Sequence, residues 1–181
     1  MPNHSSGESL TIMKIDPIED GTVLTPRSAS QRGDGSLEER HSAYFDNISP
    51  PIEWDPVPNA GAYALIVEDP DAPRELPFLH WAIWNIPAGT TSLKEGIGQE
   101  AYPADPPGAM QGKNDAGTYG WFGPRPPAGH GTHRYYFQLF ALSEPLEMGA
   151  DTPLNELLNA LKGDTIAKGE MVATFEAPTS Q

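Results

Sequence analysis

Proline and glycine most strongly constrain what this 181-residue chain folds into. Its 20 prolines and 18 glycines are spread among apolar runs instead of being gathered in a low-complexity tract. Because proline interrupts helices, and both residues are typical of turns, this spread predicts short segments joined by many turns and hence a β-rich fold. With 38% hydrophobic residues, we predict a single domain over residues 10–181, preceded by a flexible N-terminus over residues 1–9.

The chain is acidic, with a formal net charge of −14. Such a charge repels nucleic acid phosphates and anionic lipid surfaces at long range, so we expect no nucleic acid partner, and any anion site is a local exception. The absence of cysteine excludes disulfides, thiolate metal sites and cysteine nucleophiles. We expect a cytoplasmic protein with no transmembrane insertion, since neither a secretion signal nor a transmembrane stretch is recognisable.

Three segments have the β-branched and aromatic content of core strands, namely residues 62–68, 80–86 and 134–142. Two shorter apolar runs, residues 10–15 and 171–175, are interpreted as a first strand and a returning strand. These segments should form the core of the domain.

One amphipathic helix is expected near the C-terminus, with Thr152 as its N-cap and Gly163 at its end. Its apolar face comprises Leu154, Leu157, Leu158 and Leu161. By contrast, residues 28–40 are rich in serine, glycine and charge with almost nothing to bury, which predicts a mobile surface loop.

Polar side chains follow or open two of the predicted strands. Asp69 and Asp71 come directly after the first strand, in a Pro-rich segment that would by itself be interpreted as a turn. His80 opens the second strand, where a nearby aspartate would accept from one ring nitrogen and leave the other facing a ligand. We expect His80 at the rim of such a site and Trp81 in the core.

A long Gly/Pro/aromatic loop, residues 114–135, leads into the third strand. Its glycines and prolines allow backbone amides to point at an oxyanion. His133 and Tyr135 are two residues apart and share a face of the strand, while Arg134 faces the other way. His130 lies between glycines and is interpreted as a solvated loop residue.

Three ordered blocks together resemble the phosphatidylethanolamine-binding protein family, in its bacterial kinase-inhibitor-like branch. They are Asp69-Pro-Asp-Ala-Pro73, His80-Trp81 through Asn85-Ile-Pro87, and Gly123-Pro-Arg-Pro-Pro127 through Gly131-Thr-His-Arg-Tyr135. The likeness covers about residues 10 to 176. It implies a mainly β fold, an antiparallel β-sandwich with a few peripheral helices, and a small surface pocket for phosphate, acetate or a phospholipid head group. The pocket residues carried over by position are Asp69, Asp71, His80, Pro127, His133 and Tyr135.

The implied pocket is physically reasonable for a small anion. His80, His133 and Tyr135 can donate hydrogen bonds, while the aspartates orient the imidazoles without touching the anion. No metal or cofactor is expected. Two departures from the family pattern concern Arg125, where the bacterial branch often has cysteine, and residues 25–43, which are predicted to form an extended surface loop.

Three functions stay open on sequence alone. The favoured one is non-enzymatic binding of a small anion or phosphorylated ligand. A second is a hydrolase or isomerase in which His80 or His133 acts as general base beside Asp69 or Asp71. A third is a protein-interaction inhibitor of a kinase or peptidase, which the resemblance also allows, together with a homodimer.

Overall fold

The computed structural model describes residues 9–18 and 22–179. Within them the chain forms seven strands and one α-helix, with 3-10 turns at Thr11–Lys14 and Glu39–His41. The strands are β1 (Ile52–Glu53), β2 (Ala62–Asp69), β3 (Phe78–Pro87), β4 (Ser92–Leu93), β5 (Met110–Gln111), β6 (Thr132–Leu142) and β7 (Thr165–Glu176), and the helix is α1 (Leu154–Asp164).

The main sheet has five strands in the order β5-β3-β2-β6-β7, and every neighbouring pair is antiparallel. A small second sheet pairs β1 with β4, also antiparallel. The central strand β2 is buried along its whole length. Because successive side chains of a strand point to opposite faces, this burial means that both faces of the main sheet are covered.

Two apolar clusters cover these two faces. On one face Tyr63, Leu65 and Val67 of β2 pack with residues of the small sheet and with Trp81 and Trp121. On the other face Ala64 and Ile66 pack with Leu157 and Leu161 of α1 and with the segment around Ile12. The main sheet is therefore a central layer, and the expectation of a mainly β, sandwich-like fold is confirmed.

The predicted core strands and the C-terminal helix are confirmed. The returning strand is longer than expected, since β7 runs from Thr165 to Glu176. The helix begins one residue later than predicted. Pro153 is its N-cap, and the Thr152 hydroxyl donates to the Gly149 carbonyl.

One prediction for the N-terminal half is wrong, and another is wrong in part. Thr11–Lys14 form a 3-10 turn in place of the predicted strand, because the amides of Thr11 and Ile12 donate to the buried side chains of Glu68 and Gln138. Residues 28–40 lie mostly in turns and irregular structure, as a surface loop would, but they do bury apolar surface, since Leu37 is fully buried and its amide donates to the Thr174 carbonyl of β7. The flexible N-terminus predicted for residues 1–9 lies, apart from residue 9, outside the described residues.

Among the described residues, α1 is far too short and too polar to cross a bilayer, and no other helix qualifies.

Candidate functional site

The candidate site lies at one edge of the main sheet. There β2 ends at Asp69, and both of its antiparallel neighbours begin, β3 at Phe78 and β6 at Thr132. Antiparallel pairing brings the end of one strand beside the starts of its neighbours. Asp69, His80, His133 and Tyr135, which are far apart in the chain, consequently line one cavity of about 230 Å³.

A β-bulge aims His80 into this cavity. Val67 of β2 pairs with Trp81, but the next residue, Glu68, pairs with Leu79, so His80 is the extra residue of the bulge. The ring packs among Phe78, Tyr135 and Phe122, with centroid distances of 4.7, 5.1 and 6.0 Å. His80 is only 3% exposed, and the expectation that it lies at the rim is wrong.

The hydrogen bond of His80 fixes its tautomer. Nδ1 lies 2.6 Å from the Phe122 carbonyl oxygen, which only accepts, so Nδ1 carries the proton. Burial lowers the pKa of His80 from 6.5 to about 4, an effect only partly offset by the Phe122 hydrogen bond and the charge of Asp69. At neutral pH the ring is uncharged, and Nε2 presents a lone pair. His80 is therefore an acceptor and not the donor that the sequence predicts.

His133 is held by protein partners at both ring nitrogens. Nδ1 lies 2.7 Å from Oδ2 of Asp69, and Nε2 lies 2.5 Å from Nδ1 of His130. The carboxylate accepts the Nδ1 proton, so Asp69 orients this imidazole as expected. His130, interpreted from the sequence as a solvated loop residue, is half-buried and contacts the site directly.

Asp71 has a different role from Asp69. Its carboxylate accepts from Nε and Nη2 of Arg134 at 2.9 and 2.8 Å, and its Oδ2 also accepts from the Arg134 amide. Burial raises the pKa of Asp71, but the Arg134 hydrogen bonds outweigh burial and the net shift is downward. Asp71 neutralises Arg134 beside the cavity, while its own amide donates to Asp69.

Tyr135 has a buried hydroxyl group with no hydrogen-bond partner among the described residues. The side chain is 1% exposed and lines the cavity. Burial, followed by the charges of Asp69 and Asp71, raises the pKa of the phenol well above its ordinary value. The hydroxyl group therefore keeps its proton and is available as a donor.

Apart from Arg125, the outer part of the cavity is lined by apolar residues. Two segments supply them: the start of β3 with the residues just after β2 contributes Ala72, Pro73 and Phe78, and the segment 121–127, called the wall below, contributes Phe122, Arg125, Pro126 and Pro127. Arg125 is exposed, with its guanidinium 5.4 Å from the centre of the Tyr44 ring. It places a positive charge at the mouth of the cavity.

The wall over residues 121–127 is anchored from the preceding segment. The Ser42 hydroxyl donates to the Pro124 carbonyl at 2.7 Å, and the Tyr44 hydroxyl donates to the Pro126 carbonyl at 2.6 Å. The amide of Gly123 donates to the Asn47 side chain. The wall is thus held by side chains about 80 residues earlier, including one from the long 25–43 segment.

Five of the six residues predicted for the site line this cavity, and Asp71 lies just outside it, in an adjoining cavity of about 300 Å³ with His130 and Arg134. Sequence reasoning missed His130 and Arg125. The His-x-x-His spacing of residues 130 and 133 was the available signal for the first. The described residues contain no cluster of three or more His, Asp or Glu side chains that could hold a metal ion.

The sequence profile of the phosphatidylethanolamine-binding protein family matches residues 14–176. The chain belongs to this family. A UPF0098 protein of Methanothermobacter thermautotrophicus is 38% identical over 142 residues, which are 78% of this chain and 91% of the relative.

Solved structures agree with this assignment. YbcL of E. coli, described as a member of the mammalian PEBP family, is 30% identical with a TM-score of 0.78, covering 86% of this chain and 99% of that protein. A PEBP homologue of Chlamydia trachomatis is also 30% identical, with a TM-score of 0.76 over 87% of this chain and all of the homologue. The similarity thus covers the strands and loops that form the cavity.

Proposed function

We propose that this protein binds a small oxyanion, the phosphate or carboxylate end of a molecule, in the cavity at the sheet edge, without turning it over. The observation that carries the proposal is the buried hydroxyl group of Tyr135, which has no hydrogen-bond partner in the part of the chain that the structure describes. Leaving a buried donor unsatisfied costs about 1–3 kcal/mol, so a ligand oxygen that accepts from it recovers this free energy.

His80 supports the same ligand chemistry as a hydrogen-bond acceptor. Its Nε2 offers a lone pair because Nδ1 donates to the Phe122 carbonyl. Tyr135 and His80 together provide one donor and one acceptor, their ring centroids 5.1 Å apart. Hydrogenphosphate and the monoanion of a phosphomonoester each carry both an accepting oxygen and an O–H group, and they match this pair.

Size and charge limit how much of a ligand enters. A cavity of about 230 Å³ is below the usual range of about 300–1,000 Å³ for drug-sized ligands, so only a head group fits. The carboxylate of Asp69 inside the cavity disfavours high negative charge, whereas Arg125 at the mouth attracts it. The remainder of a larger molecule would lie outside, near Arg125.

Binding without turnover is favoured by the residues that surround the cavity. The described lining residues include no serine, threonine or lysine. The Tyr135 phenol is a poor nucleophile because its pKa is raised. The contact of Asp69 with His133 supports acid–base hydrolysis as a second candidate function, although Nε2 of His133 is directed at His130 and not at the cavity.

A titration followed by ¹H–¹⁵N NMR tests the proposal, using inorganic phosphate, acetate and phosphoethanolamine. We expect saturable shifts at His80 and Tyr135, and a loss in phosphate affinity of about tenfold or more in Tyr135→Phe, because a hydrogen bond to a charged group is removed. Tyr136→Phe is the matched control, since this hydroxyl accepts from Arg134 outside the cavity.

Equal phosphate affinity in Tyr135→Phe and wild type would overturn the proposal, as would the absence of saturable binding. Release of phosphate from phosphoethanolamine in the same samples, lost in His133→Asn, would instead establish the hydrolase. A cytoplasmic location belongs to the same proposal and is tested by cell fractionation.

A further inference from the structure

Arg125 lies in a stiff part of the wall. Its neighbours along the chain are Pro124 and Pro126. The proline rings fix φ, and a residue that precedes a proline is confined to extended backbone, so this stretch has few conformations available to it. Because Arg125 also lines the cavity, its side chain starts from a fixed point at the mouth.

The backbone on both sides of Arg125 is held by hydrogen bonds from an earlier segment. The Pro124 carbonyl accepts from the Ala43 amide at 3.1 Å, and the Pro126 carbonyl accepts from the Tyr44 hydroxyl at 2.6 Å. The centre of the same tyrosine ring lies 5.4 Å from the Arg125 guanidinium, a contact that attracts a cation to the ring. Tyr44 therefore positions both the backbone and the charge of this arginine.

The positive charge of Arg125 is available to a ligand. Within residues 9–18 and 22–179, no carboxylate lies within ion-pair distance of its guanidinium, whereas the other arginine beside the cavity, Arg134, is paired with Asp71. Asp69 is the one acidic residue among the described residues that line the cavity, and its Oδ2 lies 2.7 Å from Nδ1 of His133.

The ester substituent of a bound phosphomonoester would lie at this mouth, since the cavity of about 230 Å³ admits only the phosphate end. Apart from Arg125, the side chains there are apolar, among them Phe78, Phe122 and Pro127. An ammonium group on the substituent would meet a like charge. A carboxylate would instead form a charge-assisted, bidentate pair with the guanidinium.

We propose that Arg125 makes this site selective for small phosphomonoesters that carry a second anionic group on a short chain, such as a carboxylate, over those that carry an ammonium group. The inference rests on the proposed function and specifies the class of ligand that the site takes. Arg125 is a specificity-determining residue that contacts the second group, while Tyr135 and His80 contact the phosphate.

Isothermal titration calorimetry with phosphoglycolate and phosphoethanolamine tests the selectivity. The two esters are nearly equal in length and differ in the end group, which is a carboxylate in one and an ammonium in the other. At about 0.15 M salt the Debye length is about 8 Å, so the net charge of −14 is largely screened, whereas a direct contact is screened less. We expect wild type to bind phosphoglycolate about fivefold more tightly, a value that allows for the exposure of Arg125.

Arg125→Gln should remove this preference, and Arg125→Lys should keep part of it, because lysine retains the charge without the bidentate geometry. Lys162→Gln is the matched control, since it also removes one positive charge from an exposed side chain. Lys162 lies on α1 just before β7, which begins with Thr165 beside Leu142, at the opposite end of the main sheet from Thr132. This variant should keep the preference of wild type.

Equal affinity of wild type for the two esters, or tighter binding of phosphoethanolamine, would overturn the selectivity and leave the proposed function standing. A preference for phosphoglycolate that persists in Arg125→Gln would overturn it as well. Absence of saturable binding of inorganic phosphate and of both esters would overturn the proposed function, and the selectivity with it.

If Arg125→Gln fails to fold, the side-chain Nε–H resonance of Arg125 in wild type decides the matter. A shift of this resonance with phosphoglycolate but not with phosphoethanolamine supports the selectivity. Equal shifts with the two esters, or no shift with either, contradict it.

Discussion

At the scale of single residues, the site depends on where each polar group finds its partner. Asp69 and Asp71 are two residues apart in one turn, and the sequence predicts the same role for both. The structure separates them, since Asp69 binds His133 and Asp71 binds Arg134. The sequence predicts that the histidines and Tyr135 lie in one pocket. It does not predict which carboxylate pairs with which basic side chain, because those pairs form across neighbouring strands.

His80 leads to a prediction about stability and pH. Its pKa falls from 6.5 to about 4 on folding because the ring is buried. Between these values the unfolded chain binds a proton at His80 that the folded protein does not, so the free energy of unfolding falls as the pH falls from 6.5 to about 4. The expected loss is roughly 3 kcal/mol over this window.

Urea unfolding of wild type and His80→Gln across this pH range measures the effect. The glutamine amide can donate to the Phe122 carbonyl but does not titrate, so the variant should show a correspondingly weaker pH dependence. The same pH dependence in both proteins would mean that His80 is accessible to protons in the folded state.

At the scale of elements, the strands were predictable because they are apolar and β-branched, whereas the polar connections were not. Residues 10–15 look like a strand, yet their amides donate to Glu68 and Gln138, side chains 57 and 126 residues away. The wall over residues 121–127 likewise depends on Ser42 and Tyr44. Contacts of this kind have no local sequence signal.

Gly123 lies where the wall over residues 121–127 packs closely against the backbone of residues 41–43. A Cβ atom there would lie 1.9 Å from the His41 carbonyl oxygen and 2.9 Å from the Ala43 nitrogen. Since both are backbone atoms, Gly123→Ala must displace the wall, and we expect a loss of about 1–3 kcal/mol in stability together with weaker phosphate binding.

Gly89→Ala is the matched control for this substitution. A Cβ at Gly89 meets no atom within 4 Å, so thermal unfolding and phosphate affinity should stay close to wild type. Unchanged stability and affinity in Gly123→Ala would show that the wall tolerates displacement and does not define the cavity.

At the scale of the whole molecule, the chain has a net charge of −14, and its candidate anion site is a single cavity lined by buried side chains. The antiparallel order of β3, β2 and β6 brings three sequence blocks to the same edge of the sheet. That gathering was predictable from the family resemblance and the strand pattern. The neutral state of His80 and the contacts of His133 with Asp69 and His130 follow only from burial and distances in the folded protein.

A crystal structure of the protein with bound inorganic phosphate tests the central claim most directly. We predict one phosphate in the cavity, with oxygens about 2.5–3.0 Å from the Tyr135 hydroxyl and from Nε2 of His80. Phosphate bound only at other surfaces, with the Tyr135 hydroxyl still unpartnered, would contradict the account.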